Sequence, residues 1–526
     1  MNVVNRPKML VFSHICSPEF ITGAEKLLLS FLRELHRLFH CVLVVPREGA
    51  IAEAARRHGV EIAVLDIPLS IAMYIAAPHL SAELDNLRRH TAWEQLVALL
   101  QREEPSYVWV NTCVHPLPAM AAKALGVPTI WSLMETINDG SHRDEAARIV
   151  ATYSDRIVGI SKTVLAPIPS GAHAKAAVLP PFLNREELLP DSWPMARLRQ
   201  RRSQGWSEHH LVAGYIASAL YPNKGLKDFV QAMLPLAALD SRVRLLVIGN
   251  PDEDADYVRS CRELIQKAGL ADRVSWIRFA DRIEYVYPMM DVVVVPSLIA
   301  EGFGMTALEG MVFGKPVVAY ASGGLEEILQ ATGNAAYLVK PGDISGLTTA
   351  IATLLQNEKL RSEVGAAGAR AAEETFGRDA FREQLTALVS GLPARQPPAL
   401  QGLVRGRGPT VYYIEHGRRR SFPSEAVFHG LGFRFEDVQD VPDHRLSLIP
   451  HGPPMELPAA ENRGGAGEGA GASRRSSSSR RSSGGRGRRA RRGPRSSRRS
   501  RRTSGGGRRS AGRARGRRRR HARNGR

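Results

Sequence analysis

From residue 8 onward, short apolar runs alternate with amphipathic stretches, and the whole pattern occurs twice. "KMLVFSH" (8–14), "CVLVVP" (41–46), "EIAVLD", "YVWVNT", "PTIWSLME" and "RIVGIS" read as buried strands. "GAEKLLLSFLRELHRL" (23–38) and "GAIAEAARRHG" (49–59) read as helices between them, the second ended by glycine. Strands separated by long helical segments cannot form hairpins. They imply a parallel sheet with helices on both faces. After an Arg-rich stretch near 186–208 the series restarts with "HLVAGYIA", "VRLLVIGN", "VSWIRFA", "DVVVVPS" and "PVVAYAS" as strands. "LKDFVQAMLPLAAL", "YVRSCRELIQKAG", "MTALEGMVFG" and "ISGLTTAIATLLQN" are the intervening helices. Residues 1–185 and 186–392 therefore predict an α/β protein of two doubly wound, Rossmann-like domains facing across a cleft. Ligands of such domains bind at the carboxyl ends of the strands. A last helix is expected at about 378–390.

A Pro-rich linker (393–402) then leads to a small α+β accessory module (403–456). In that module "TVYYIEHGRRRSF" reads as a hairpin turning at His416-Gly417, and Ser424 reads as the cap of a short helix. Residues 457–526 are a Gly/Ser/Arg-rich tail that lacks the apolar residues a core needs, so the reading is disorder. The net charge of +20 belongs to this tail, because the 24 arginines of 473–526, taken from it, leave −4 for everything before. The four cysteines (Cys16, Cys41, Cys113, Cys261) are scattered and suit free thiols in a reducing compartment. "MNVVNRPKMLVFSH" lacks the apolar core of a signal peptide, and the apolar stretch 67–80 is too short and too broken by proline to span a bilayer. The expectation is a cytoplasmic protein, peripheral at a membrane if the tail engages one.

The chemistry concentrates in "EGFGMTALEGMVFGKPVV" (301–318). Taken alone, "TALE" fits a capping box, with Thr306 as N-cap and Glu309 at the third helical position, and Glu301 fits a solvated loop charge. The context adds more. The strand "DVVVVPS" runs directly into this loop, which places it at the ligand-binding end of a parallel sheet. Gly302 and Gly304 allow close backbone approach, the helix start beyond offers N–H groups to phosphate, and the flanking carboxylates can accept from sugar hydroxyls. Together they suit a pocket for a phosphate-linked sugar.

Residues 296–329, "PSLIAEGFGMTALEGMVFGKPVVAYASGGLEEIL", resemble the E-x7-E signature of the retaining glycosyltransferases of family 4, which have the GT-B fold. "ALYPNKGLKDFVQAM" (219–233), "ITGAEKLL" (21–28) and "IVGISKTV" (157–164) resemble further elements of that family, in its order, so the likeness covers about residues 8–390. The resemblance implies that Glu301 lies near the donor sugar, Glu309 holds the nucleotide ribose, and Gly302, Phe303, Gly304, Met305 and Thr306 meet the diphosphate and sugar. Lys224 matches the lysine that neutralises the diphosphate, and Asn250, at a strand end, joins the donor residues. Gly23, Glu25, His115 and Glu135 are candidates on the acceptor side of the cleft. Three positions depart from the family: Ala219 stands where an arginine is common, Thr22-Gly23 where a glycine pair is common, and Met134 where many members have histidine.

No cofactor and no metal site is expected. The acidic run in "GNPDEDADYV" (249–257) reads as a solvated loop. The implied partners are a nucleotide-sugar donor and a hydroxyl acceptor. Through its arginines the tail suits an anionic membrane surface or nucleic acid. A rival reading is a polyanion-binding protein with an inactive GT-B body.

Overall fold

The computed structural model describes residues 6–457, apart from 20, 279–281, 395–399, 442 and 448. The arginine-rich tail and the middle of the Pro-rich linker lie outside the described residues. Seven strands form the first sheet: β1 (Lys8–Phe12), β2 (His40–Val45), β3 (Glu61–Val64), β4 (Tyr107–Asn111), β5 (Thr129–Leu133), β6 (Arg156–Gly159) and β7 (Ala176–Val178). Their order is β3-β2-β1-β4-β5-β6-β7, and every pairing is parallel. The central strands are buried along almost their whole length, which is why they read as continuous Val/Ile/Leu runs.

The second sheet repeats this scheme. Its strands are β8 (Leu211–Ala219), β9 (Val243–Asn250), β10 (Val274–Ile277), β11 (Val292–Val295), β12 (Val317–Tyr320) and β13 (Leu338–Val339), in the order β10-β9-β8-β11-β12-β13. In both sheets the connections leave in opposite directions from one neighbouring strand pair, β1/β4 and β8/β11. That divergence opens a crevice at the strand ends. The fold is thus two doubly wound domains.

The last helix of the second domain, Arg378–Ser390, packs back onto the first. Phe381 lies between Phe31 and Phe182, at ring-centroid distances of 4.9 and 4.5 Å. Arg382 holds the buried Glu34 with Nε–Oε2 at 2.7 Å. The accessory module has its own sheet, β16-β15-β14-β17, built from β14 (Gly402–Arg405), β15 (Val411–Glu415), β16 (Arg418–Ser421) and β17 (Gln439–Asp440). The β15–β16 hairpin turns at His416 (φ 49°) and Gly417 (φ 69°), a two-residue turn with both residues left-handed. Ser424 caps the helix Glu425–Gly430. The hairpin rests on the first domain, with the Arg418 guanidinium over the Trp93 ring.

A buried ion cluster ties the helix Trp193–Ser203 to the second sheet. Arg201, fully buried, donates from Nη2 to Asp291 (2.7 Å) and from Nε to the Met289 carbonyl (2.9 Å). Asp291 also accepts from Arg197 and from the Val212 N–H. Burial alone would raise the Asp291 carboxyl, but Arg201 and Arg197 hold it below its ordinary value. Removing one partner strands the other charge in the interior. Arg201→Ala should therefore cost about 3–5 kcal/mol in denaturant unfolding, and a loss under 1 kcal/mol would show that water reaches Asp291.

Candidate active site

A cleft of about 330 Å³ opens where the two domains face each other. Its floor is the end of β8 (Tyr215 to Ser218) and the run from β11 into the loop (Val294 to Ser297). Glu301, Gly302, Phe303, Gly304, Met305, Thr306 and Lys224 form one wall, and Gly23, Leu27, Met134 and Ile160 of the first domain form the other.

The loop 301–304 is held on both sides. Glu301 is bridged to Gly323, and its carbonyl accepts from the Gly324 N–H at 2.8 Å. The Gly302 carbonyl accepts from the Ser161 hydroxyl of the first domain at 2.6 Å. A Cβ on residue 302 would stand 2.9 Å from the Met134 carbonyl oxygen, so only glycine lets the domains approach this closely. Gly304 adopts φ 104° and begins the helix Met305–Val312. No side chain caps that helix, so its first N–H groups lie at the cleft wall, where a negative charge is stabilised.

Lys224 comes from the turn Pro222–Lys224, which the Leu298 N–H fastens to the neighbouring loop through the Asn223 carbonyl (2.9 Å). Its ammonium meets Glu301 Oε1 at 2.7 Å, both side chains partly exposed. Residues 77 positions apart thus join on one wall of the cleft. Tyr287, fully buried and stacked on Phe313, donates its hydroxyl to Glu309 Oε2 at 2.5 Å. Burial raises the Glu309 carboxyl above its ordinary value; the Tyr287 hydroxyl and the Lys26 ammonium of the first domain pull it back in part.

This geometry corrects the capping-box reading. The N-cap is Gly304 rather than Thr306, and Glu309 sits in the second turn with its carboxylate on Tyr287. The true capping box lies in the first domain, where Glu25 is fully buried and accepts from the N–H groups of Ser17 (3.0 Å) and Thr22 (2.8 Å). Glu25 therefore shapes the loop before Gly23 and does not line the cleft. His115 is also sealed off. It is 1% exposed, packs edge-on to Phe12 and has no partner for either ring nitrogen among the described residues. Burial, with His14 nearby, depresses its pKa to about 3 and keeps it neutral. Glu135 turns away from the cleft to accept the Cys113 N–H at 2.8 Å, and burial raises its carboxyl. Asn250 also lies off the cleft wall, and its Oδ1 accepts the Asp252 N–H.

Sequence reasoning missed Tyr287, Lys26, Ser161 and Glu327. Glu327 receives the N–H groups of Lys162 (2.8 Å) and Thr163 (2.7 Å) and the Thr163 hydroxyl (2.6 Å), all from the other domain. The signal for it was present in "GGLEEIL", but two adjacent glutamates gave no way to choose.

The fold and the cleft define the class first: this is a GT-B protein. Residues 197–371, most of its second domain, match the model of the group 1 glycosyl transferases. A D-inositol 3-phosphate glycosyltransferase of Stackebrandtia nassauensis is 34% identical over 199 residues, which cover 36% of this chain and 43% of that one. A GDP-mannose-dependent alpha-(1-6)-phosphatidylinositol monomannoside mannosyltransferase of Mycolicibacterium smegmatis is 27% identical over 256 residues, 47% and 65% of the two chains. The chain thus spans less than two thirds of the length of either relative. Among solved structures, Anabaena HepE in complex with UDP-glucose superposes with a TM-score of 0.60 at 19% identity, over 74% of this chain and all of that one, a likeness of fold. No helix among the described residues is long and apolar enough to cross a membrane.

The Tyr287–Glu309 bond can be tested directly. Tyr287→Phe removes the hydroxyl that lowers the Glu309 carboxyl. The Glu309 titration, followed by carbon NMR of labelled glutamate, should move to still higher pH. An unmoved titration would show that the hydroxyl bonds elsewhere.

Proposed function

We propose that the protein is a retaining glycosyltransferase that moves a sugar from a nucleotide-sugar donor to a hydroxyl acceptor. The observation that carries this reading is the Lys224–Glu301 pair, set in one cleft with an uncapped helix start and a glycine loop. A donor diphosphate entering that wall competes with Glu301 for the Lys224 ammonium, and Glu301 is released to accept from sugar hydroxyls. Glu309, held by Tyr287, takes the ribose hydroxyls. In the transfer step the bond from anomeric carbon to diphosphate oxygen breaks as the acceptor oxygen bonds to that carbon, and the proton of the acceptor hydroxyl passes to the departing diphosphate oxygen. The nucleoside diphosphate leaves with the electron pair, and Lys224 and the first N–H groups of the helix offset its charge. The acceptor enters from the side of Gly23, Leu27 and Met134. In this reading those groups take the place of a divalent cation.

Screening a panel of nucleotide sugars for hydrolysis and transfer tests the reading. With the donor so found, Lys224→Gln should lower kcat about 10²–10³-fold, and wild-type turnover should persist in excess chelator. Glu309→Ala should weaken nucleotide binding by roughly 1–3 kcal/mol. A chain that turns over no donor, or that needs added magnesium or manganese, contradicts the proposal.

The tail is assigned a separate role, holding the enzyme at an anionic membrane surface from the cytoplasmic side. Truncation after Pro458 should leave turnover of a soluble acceptor intact and sharply reduce salt-sensitive binding to anionic vesicles. Loss of turnover with an intact fold would make the tail part of the catalytic apparatus. Binding to nucleic acid in preference to vesicles would make nucleic acid, not a membrane surface, the partner of the tail.

A further inference from the structure

A second pocket, of about 230 Å³, lies where the accessory module meets the first domain. The helix Leu80–Arg89, Tyr153 at the end of the helix Arg143–Tyr153, strand β16 and the residues Ser447, Ile449, Pro450 and His451 line it. Cationic side chains dominate its lining, Arg88, Arg89 and Arg419, beside the imidazole of His451. Asp85 is the one carboxylate among the described lining residues, and it is already engaged. Its Oδ1 accepts from Arg88 Nη1 at 2.9 Å, while Arg88 Nη2 donates to the Tyr153 hydroxyl at 2.9 Å.

The arginine triplet of β16 shows how selective this arrangement is. Arg418 is buried over Trp93 and donates to the Arg88 carbonyl. Arg420 donates to Glu415 and to the carbonyls of Pro453 and Pro454. Arg419 lies over the Tyr412 ring, 5.4 Å from its centroid, and its side chain has no hydrogen-bond partner among the described residues. Its Nε is sealed from solvent, a state that ordinarily requires a partner. Arg89 is exposed and equally without an ion pair among the described residues. Backbone bonds fix Arg419 beside His451: the Arg419 N–H donates to Pro450 and the Gly452 N–H donates back. Burial and the adjacent Arg419 charge lower the His451 pKa, so the pocket already repels a further proton.

Several guanidinium forks and a phenol around one small cavity match the geometry of an oxyanion with several acceptor oxygens better than that of a single carboxylate. We propose that this pocket binds a phosphate group and that the bound phosphate clamps the accessory module onto the first domain. The ligand joins Arg88, Arg89 and Tyr153 of the domain to Arg419 and His451 of the module. This pocket shares no lining residue with the cleft between the two domains.

The test uses the full chain and inorganic phosphate, titrated against sodium chloride at equal ionic strength, with the unfolding temperature as readout. Wild-type protein should gain roughly 2–4 °C, saturating with phosphate. Arg419→Gln and Arg89→Gln should each lose at least half of that gain. Lys224→Gln, in the donor cleft, and Arg434→Gln, elsewhere on the module, should keep it. The arginine tail is present in every variant, so its own anion binding cancels. If Arg419→Gln fails to fold, the exposed Arg89→Gln carries the comparison. A second arm with glycerol 3-phosphate separates the sources: saturation at lower concentration identifies a phosphomonoester, equal concentration the free ion. A gain unchanged in both pocket variants, a gain lost in Lys224→Gln, or no gain in the wild type overturns the proposal.

Discussion

The loop 301–304 has to satisfy two domains at once. Its main chain is bound to the strand-following segment 322–324 on one side and to Ser161 on the other, through a residue that cannot carry a side chain. The rest of the 301–312 cleft wall follows from that placement. It sets the start of the helix Met305–Val312, aims Glu301 at Lys224, and puts Glu309 over Tyr287. A loop fixed from both sides costs little further ordering when a ligand arrives, which is how binding energy is kept for the reacting groups.

Two further ties keep the cleft assembled. Glu327 of the second domain receives the backbone at Lys162 and Thr163, and the final helix returns to the first domain through Phe381 and the Arg382–Glu34 pair. The first is a polar contact beside the cleft. The second combines an aromatic contact with an ion pair, further along the helix Gly23–Leu38 whose first turns line the cleft.

Much of this was legible in the sequence because parallel, doubly buried strands are continuous apolar runs, and a period-two signal is not needed to find them. The hairpin at His416-Gly417 and the cap at Ser424 were equally readable, since turn and cap chemistry is local. The helix Glu358–Phe376 escaped notice because its buried positions are Gly365, Gly368, Ala372 and Phe376, which form no apolar stripe. At the site, the signature residues and Lys224 could be found by spacing. Side-chain direction could not. Thr306 followed by Glu309 fits a capping box on paper, yet a left-handed Gly304 starts the helix two residues earlier and turns Glu309 onto a tyrosine 22 positions upstream. Glu25 and His115 have residue types that suit a cleft, but the loops bury them, and burial of a neutral histidine leaves no mark in a sequence.

Where a nucleotide sits decides the role of this cleft. A crystal structure with the nucleoside diphosphate of the active donor should show the diphosphate against the Lys224 ammonium and the N–H groups of Met305 and Thr306. The ribose hydroxyls should lie within hydrogen-bond distance of Glu309, and the Lys224–Glu301 pair should be opened. A nucleotide bound elsewhere, or a diphosphate that leaves the 2.7 Å Lys224–Glu301 contact intact, would contradict the assignment of this cleft as the donor site.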